Sequence, residues 1–151
     1  MATIPGFDVH GNLPPGVYRV SLSEVEDRFT WNARRRQLFA GLSKALANLA
    51  AAGVKRVWID GSFATAKEEP NDVGGCWELE ESLEAGKLDM VFLFMEPPRI
   101  PMRRKYGVDF LIAGSKLGDP GFEGRRVEEL FQEDAEGNPK GILLIDTSDE
   151  P

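Results

Sequence analysis

Two short apolar runs, Val54-Lys55-Arg56-Val57-Trp58-Ile59 and Asp72-Val73-Gly74-Gly75-Cys76-Trp77, are joined by Asp60-Gly61-Ser62-Phe63 and a polar loop that ends in Pro70-Asn71. Both runs read as strands, and they are close enough in sequence to pair. The turn chemistry between them lies at Gly61-Ser62 and Pro70-Asn71. Side chains alternate along a strand, so positions 72 and 74 point the same way. The first is an acid, Asp72, and the second is Gly74.

The segments around this pair alternate between helical and extended patterns. Ser21 or Ser23 can cap a short helix to Phe29, with acids in its first turn. From Asn32 to Ala52, Leu38, Leu42, Ala45, Leu46 and Leu49 recur at helical spacing, Asn32 supplies a cap, and Gly53 a stop. Residues 88–95 are apolar enough for a buried strand or a buried helix, and periodicity does not decide between them. Pro97-Pro98-Arg99-Ile100-Pro101 forces a break, and Val108 to Ile112 reads as a strand with Asp109 inside it. Gly118 to Gly121 makes a turn, Phe122 to Gln132 has helical spacing, and Gly141 to Ile145 is a terminal strand. The expected fold is α+β (mixed α/β), a small mixed sheet flanked by helices. A Gly/Pro-rich extended arm occupies about residues 1–20 and a frayed tail about 146–151, within a single domain over 1–151.

Composition narrows the function classes. A chain of 151 residues with 42% hydrophobic content can build one core. No apolar run approaches membrane-spanning length and the start lacks signal-peptide chemistry, so a cytoplasmic protein without a membrane is expected. One cysteine, Cys76, and one histidine, His10, exclude an intramolecular disulfide and any Cys- or His-rich metal site within the chain. The net charge of −7 disfavours general nucleic-acid binding, although local basic clusters could still dock RNA. Those clusters are Arg34-Arg35-Arg36 and Arg99 with Arg103-Arg104-Lys105; solvated surface is the simpler reading of each.

The residues that carry chemistry are acids, small turn residues and one lysine. Gly61 permits close backbone approach to a phosphate, Ser62 can donate its hydroxyl to a phosphate oxygen, and Lys67 is near enough in sequence to neutralise phosphate charge. Asp72 and Asp109 are the candidate catalytic acids and magnesium ligands. Asp109 is the harder of the two to dismiss as structural, because a carboxylate buried between Val108 and Phe110 needs a partner or a metal. Asp60, Glu78 and Asp89 are the acids that could replace a ligand absent at position 74. Phe63 could contact a base, Cys76 reads as a small buried hydrophobe, and the extended arm carries no chemistry.

Trp58-Ile59-Asp60-Gly61-Ser62-Phe63-x-Thr65-x-Lys67, Pro70-x-Asp72, Gly75-Cys76-Trp77 and Lys105-Tyr106-Gly107-Val108-Asp109 together resemble a group of small bacterial nucleotidyltransferase-like proteins. Phe29-x-x-Asn32-x-x-Arg35-Arg36, Phe131-Gln132 and Gly137-Asn138-Pro139-Lys140-Gly141-Ile142 fit the same group. The wider superfamily is similar to polymerase-beta-type enzymes and to the minimal nucleotidyltransferases of toxin-antitoxin modules. The resemblance implies a nucleotidyltransferase-like fold, Mg2+ (or Mn2+) and a nucleoside triphosphate, mapped onto Gly61, Ser62, Asp72 and Asp109. Transfer of a nucleoside monophosphate to an RNA, protein or small-molecule hydroxyl is the activity implied. Gly74 stands where that pattern has a second acid, and loss of one metal ligand can cost ~10³-fold in rate, about 4 kcal/mol. The alternative is therefore a degenerate relative serving as a nucleotide-binding or protein-interaction module, antitoxin-like or in phage defence. A domain of this size has little room to bind an acceptor, so a toxin, another protein partner or self-association is expected beside the nucleotide.

Overall fold

A computed structural model describes residues 4–113, 132–133 and 136–149. Its centre is a five-stranded mixed sheet in the order β1-β5-β2-β3-β4, formed by β1 (Val17–Arg19), β2 (Arg56–Asp60), β3 (Val73–Trp77), β4 (Val108–Ile112) and β5 (Ile142–Asp146). β2 runs antiparallel to both β3 and β5, whereas β3 with β4 and β1 with β5 are parallel. The fold is thus mixed α+β, and the described residues include three α-helices, α1 (Leu22–Phe29), α2 (Ala33–Ala51) and α3 (Ile100–Tyr106).

Local chemistry sets the helix ends. Ser21 caps α1 in a full capping box with Glu24, satisfying two backbone donors reciprocally. Asn32 caps α2 through the Arg35 amide, and Gly53 follows that helix at φ +91°. The stripe Leu38, Leu42, Ala45, Leu46 and Leu49 is buried in one core with Val57 and Ile59 of β2, Trp77 of β3 and Phe110 of β4. Each fully buried leucine contributes roughly 1.5–3 kcal/mol, so this stripe anchors the helix on the sheet.

Alternation along the strands sends the intervening residues to the other face. There Trp58, Cys76 and Leu111 form a second, smaller apolar cluster with Met95 and Ala113. Asp60, Gly74 and Asp109 lie in one register row across β2, β3 and β4, on the same face as that cluster.

Several expectations from the sequence change. Residues 88–95 form neither strand nor α-helix but a 3-10 turn, Met90–Leu93, capped by Asp89, with Leu88 and Phe92 buried. Side-chain hydrophobicity alone cannot report this, because apolar anchors suit a turn as well as a strand. The basic stretch after the prolines is helix α3, with Pro101 in its first turn, where a missing N–H costs nothing. The N-terminal arm runs into edge strand β1, parallel to β5. At the C-terminal end of β5, Thr147 donates from its amide to the Lys55 carbonyl and from its hydroxyl to the Val54 carbonyl. The helix expected from Phe122 to Gln132 and the turn before it lie outside the described residues, apart from Gln132. No helix among the described residues is long and apolar enough to cross a membrane.

Candidate functional site

β2 ends at Asp60, and the chain turns at once into a short 3-10 segment, Gly61–Ala64. Gly61 opens it at φ +68°, a left-handed conformation that other residues adopt only with strain. The segment is pinned from behind by a guanidinium. Arg35, at the start of α2, is fully buried and donates to the carbonyls of Phe29, Ser62, Phe63, Thr65 and Lys67. Its charge stacks on Trp31 at 3.8 Å, and burial lowers its pKa to about 10, which leaves it protonated near neutrality. Arg35 is therefore a core residue, which corrects the expectation that Arg34-Arg35-Arg36 is simply a solvated face.

Other sequence candidates are displaced by the same packing. Phe63 is fully buried against Phe29, so it cannot meet a base in this arrangement. Lys67 is exposed, and the contacts that hold it are made by its backbone, whose amide donates to the Thr65 hydroxyl and whose carbonyl accepts from Arg35. Ser62 sits half-buried inside the turn, with its carbonyl accepting from Thr65 Oγ1 at 2.7 Å.

Asp72 and Asp109 do come together, from the residue before β3 and from within β4. Arg103 Nη2 lies 3.3 Å from Asp72 Oδ2 and 2.7 Å from Asp109 Oδ2, so a single nitrogen bridges both carboxylates. Arg99 adds a fork on Asp109, Nε to Oδ1 and Nη2 to Oδ2. It does so from a left-handed backbone conformation, φ 54°, unusual for a residue other than glycine. Burial pushes the Asp109 carboxyl up, but the hydrogen bonds from Arg99 and Arg103 outweigh it and hold the group below its usual pKa. At Asp72 burial prevails over Arg103, and with the neighbouring Asp109 charge it raises the pKa.

Asp60 is the third acid of this face. It is 3% exposed, and its Oδ2 has no hydrogen-bond partner among the described residues. Burial raises its pKa to about 8; Lys140 opposes the rise, and Asp109 and Asp72 add to it. Glu78 and Asp89 are elsewhere. Glu78 follows β3 at its far end and faces Arg56, and Asp89 accepts from Lys105 and the Tyr106 hydroxyl. Sequence reading missed the roles of Arg99, Arg103 and Lys140, since nothing in their spacing announces that two arginines would cover two acids.

Carboxylates are the donors that hard divalent cations take, and Asp72 and Asp109 are the two that converge here. Among the described residues, no three acidic, histidine or cysteine side chains already form a group able to hold a metal ion. Arg99 and Arg103 hold the acids instead. Beside the acids, a cavity of about 260 Å3 is lined by Arg34, Gln37, Asn71, Arg103, Arg104 and Lys105. A larger and more open hollow of about 710 Å3, at Lys55 and residues 79–82, lies at the opposite end of β2.

No curated protein and no solved structure matches the chain. A family of unknown function (DUF6932) matches residues 5–146, which takes in every strand, helix and acid of the site. The chain belongs to that family.

Proposed function

We propose that the protein binds a nucleoside triphosphate with Mg2+ or Mn2+ and transfers its nucleoside monophosphate to a hydroxyl. One observation carries this reading: Asp72 and Asp109, from neighbouring strands, converge on a single cationic nitrogen. Two acids that share one cation across a sheet, next to a glycine-serine turn, are what a metal–triphosphate site requires. The turn is close to the acids, since a Cβ placed on Gly61 would lie 3.6 Å from the Gly74 Cα.

Asp72 and Asp109 would hold the metal, which when bound would neutralise phosphate charge and polarise the phosphorus being attacked. Gly61 and Ser62 receive phosphate oxygens on the turn that Arg35 stiffens. Arg103, once off the acids, remains within reach of the same anion and lines the basic cavity beside it. That cavity can take the triphosphate tail or the phosphate of an RNA acceptor. Lys67 serves as a phosphate ligand only if its exposed side chain folds inward.

A second reading is favoured by the same arginines. With both oxygens of Asp109 satisfied by guanidinium groups, the protein can be a relative that keeps the cleft without turnover, binding nucleotide or a protein partner such as a toxin. Incubation with labelled triphosphates, Mg2+ or Mn2+, and cellular RNA or protein separates the two. Transfer of label that disappears in Asp72→Asn supports the enzyme. Nucleotide binding without transfer from any triphosphate supports the second reading and overturns the first.

A further inference from the structure

The segment around the 3-10 turn Met90–Leu93 sends Leu88 and Phe92 into the core and leaves Met90, Leu93 and the following Phe94 exposed. Ile100, at the start of α3, is exposed as well. A single exposed apolar side chain is ordinary, but four of them between residues 90 and 100 mark a surface made to be covered. Part of this surface is concave. Phe94, Ile100 and three prolines line a hollow of about 580 Å3, and the only charged residues in its lining are Glu96 and Arg104. Neither of those side chains makes an ion pair among the described residues, although Arg99, Arg103 and Lys105 around them are all paired with acids.

We propose that this hollow is a self-association surface, covered by the same hollow of a second copy of the chain across a two-fold axis. The charges choose the occupant. A two-fold contact sets a patch against itself, so that residue i of one copy meets residue j of the other and j meets i. With one unpaired acid and one unpaired base on an apolar floor, the hollow is its own complement, and Glu96 of each copy faces Arg104 of the other. An RNA backbone or a strongly acidic protein would be drawn to Arg104 but repelled by Glu96, and the RNA would leave the apolar floor uncovered. Phe94 and Ile100 are the apolar anchors of the contact, and the two charge pairs set its register and turn away other partners. Arg104 also lines the basic cavity beside the acids, so the contact borders the candidate site.

The contact needs neither metal nor nucleotide, so it stands or falls apart from the function proposed above. Sedimentation velocity on the full chain from about 5 to about 200 µM tests it, since a small interface associates in the micromolar range. Far-UV circular dichroism melting serves as the folding control. The wild-type chain is expected to sediment as a dimer at the upper end of that range. Glu96→Arg and Arg104→Glu each set like charges against one another twice, and each should weaken association at least about tenfold. Both side chains are exposed, so the melting temperatures should not change. An equimolar mixture of the two variants restores both opposite-charge pairs and should bring the dimer back, as should Glu96→Arg combined with Arg104→Glu in one chain. A wild-type chain that stays monomeric at about 200 µM overturns the proposal. So does a dimer that both single variants leave intact, or a mixture of the two that remains monomeric.

Discussion

Arg35 and Asp60 are both buried charges, and the protein treats them in opposite ways. Arg35 is surrounded by carbonyls that accept from all three of its guanidinium nitrogens, whereas Asp60 keeps an oxygen with no donor among the described residues. The two therefore respond differently to substitution. Lysine in place of Arg35 supplies one nitrogen for a five-carbonyl cage, so Arg35→Lys should destabilise by roughly 2–4 kcal/mol in urea unfolding. Asp60→Asn should instead stabilise the metal-free chain near neutral pH. An unfolded Asp60 loses its proton near pH 4, while in the folded chain burial holds the proton until about pH 8. The folded state binds the extra proton throughout that window, so wild-type stability falls as pH rises across it. Asparagine removes the dependence, and its advantage should be on the order of 5 kcal/mol at pH 8, for a proton held about four units too high, and vanish below pH ~4. Equal stability of the two proteins at every pH from 4 to 8 would show that Asp60 is not held protonated.

At the scale of elements, the alternation of helix and strand was legible where local chemistry acts alone. Ser21 with Glu24, Asn32 and the leucine stripe of α2 each encode a cap or a face within a few residues, and the structure uses all of them. α3 was not legible, because Pro97, Pro98 and Pro101 read as breakers although the last of them sits in the first turn of a helix. The site was legible only in part. Asp72, Asp109, Gly61 and Ser62 stand out by their positions beside strands, but the Arg103 bridge joins a helix to two strands and has no sequence period. α3 thereby acts as a cover on the acids. Removing its bridging charge in Arg103→Gln should leave the fold intact and tighten Mn2+ binding several-fold in the absence of nucleotide, measured by calorimetry. Unchanged affinity would mean that the salt bridges do not compete with the cation.

For the molecule as a whole, the sheet order sets what can be near what. β2 lies in the middle, so its C-terminal end, the 3-10 turn after it, the start of β3 and the paired stretch of β4 gather at one place. Strand β5 borders β2 on the other side and follows Lys140, which is how a residue distant in sequence acts on Asp60. The overall charge of −7 makes the local arginines more telling, since they are concentrated where the acids are. The central claim is that this place holds a metal and a triphosphate together. Calorimetric titration with a nonhydrolysable nucleoside triphosphate, with and without Mg2+, tests it directly. Binding should require the metal and weaken at least about tenfold, or 1.4 kcal/mol, in Asp72→Asn and in Asp109→Asn. Binding of equal affinity without metal, or none at all in the wild-type chain, would contradict the account.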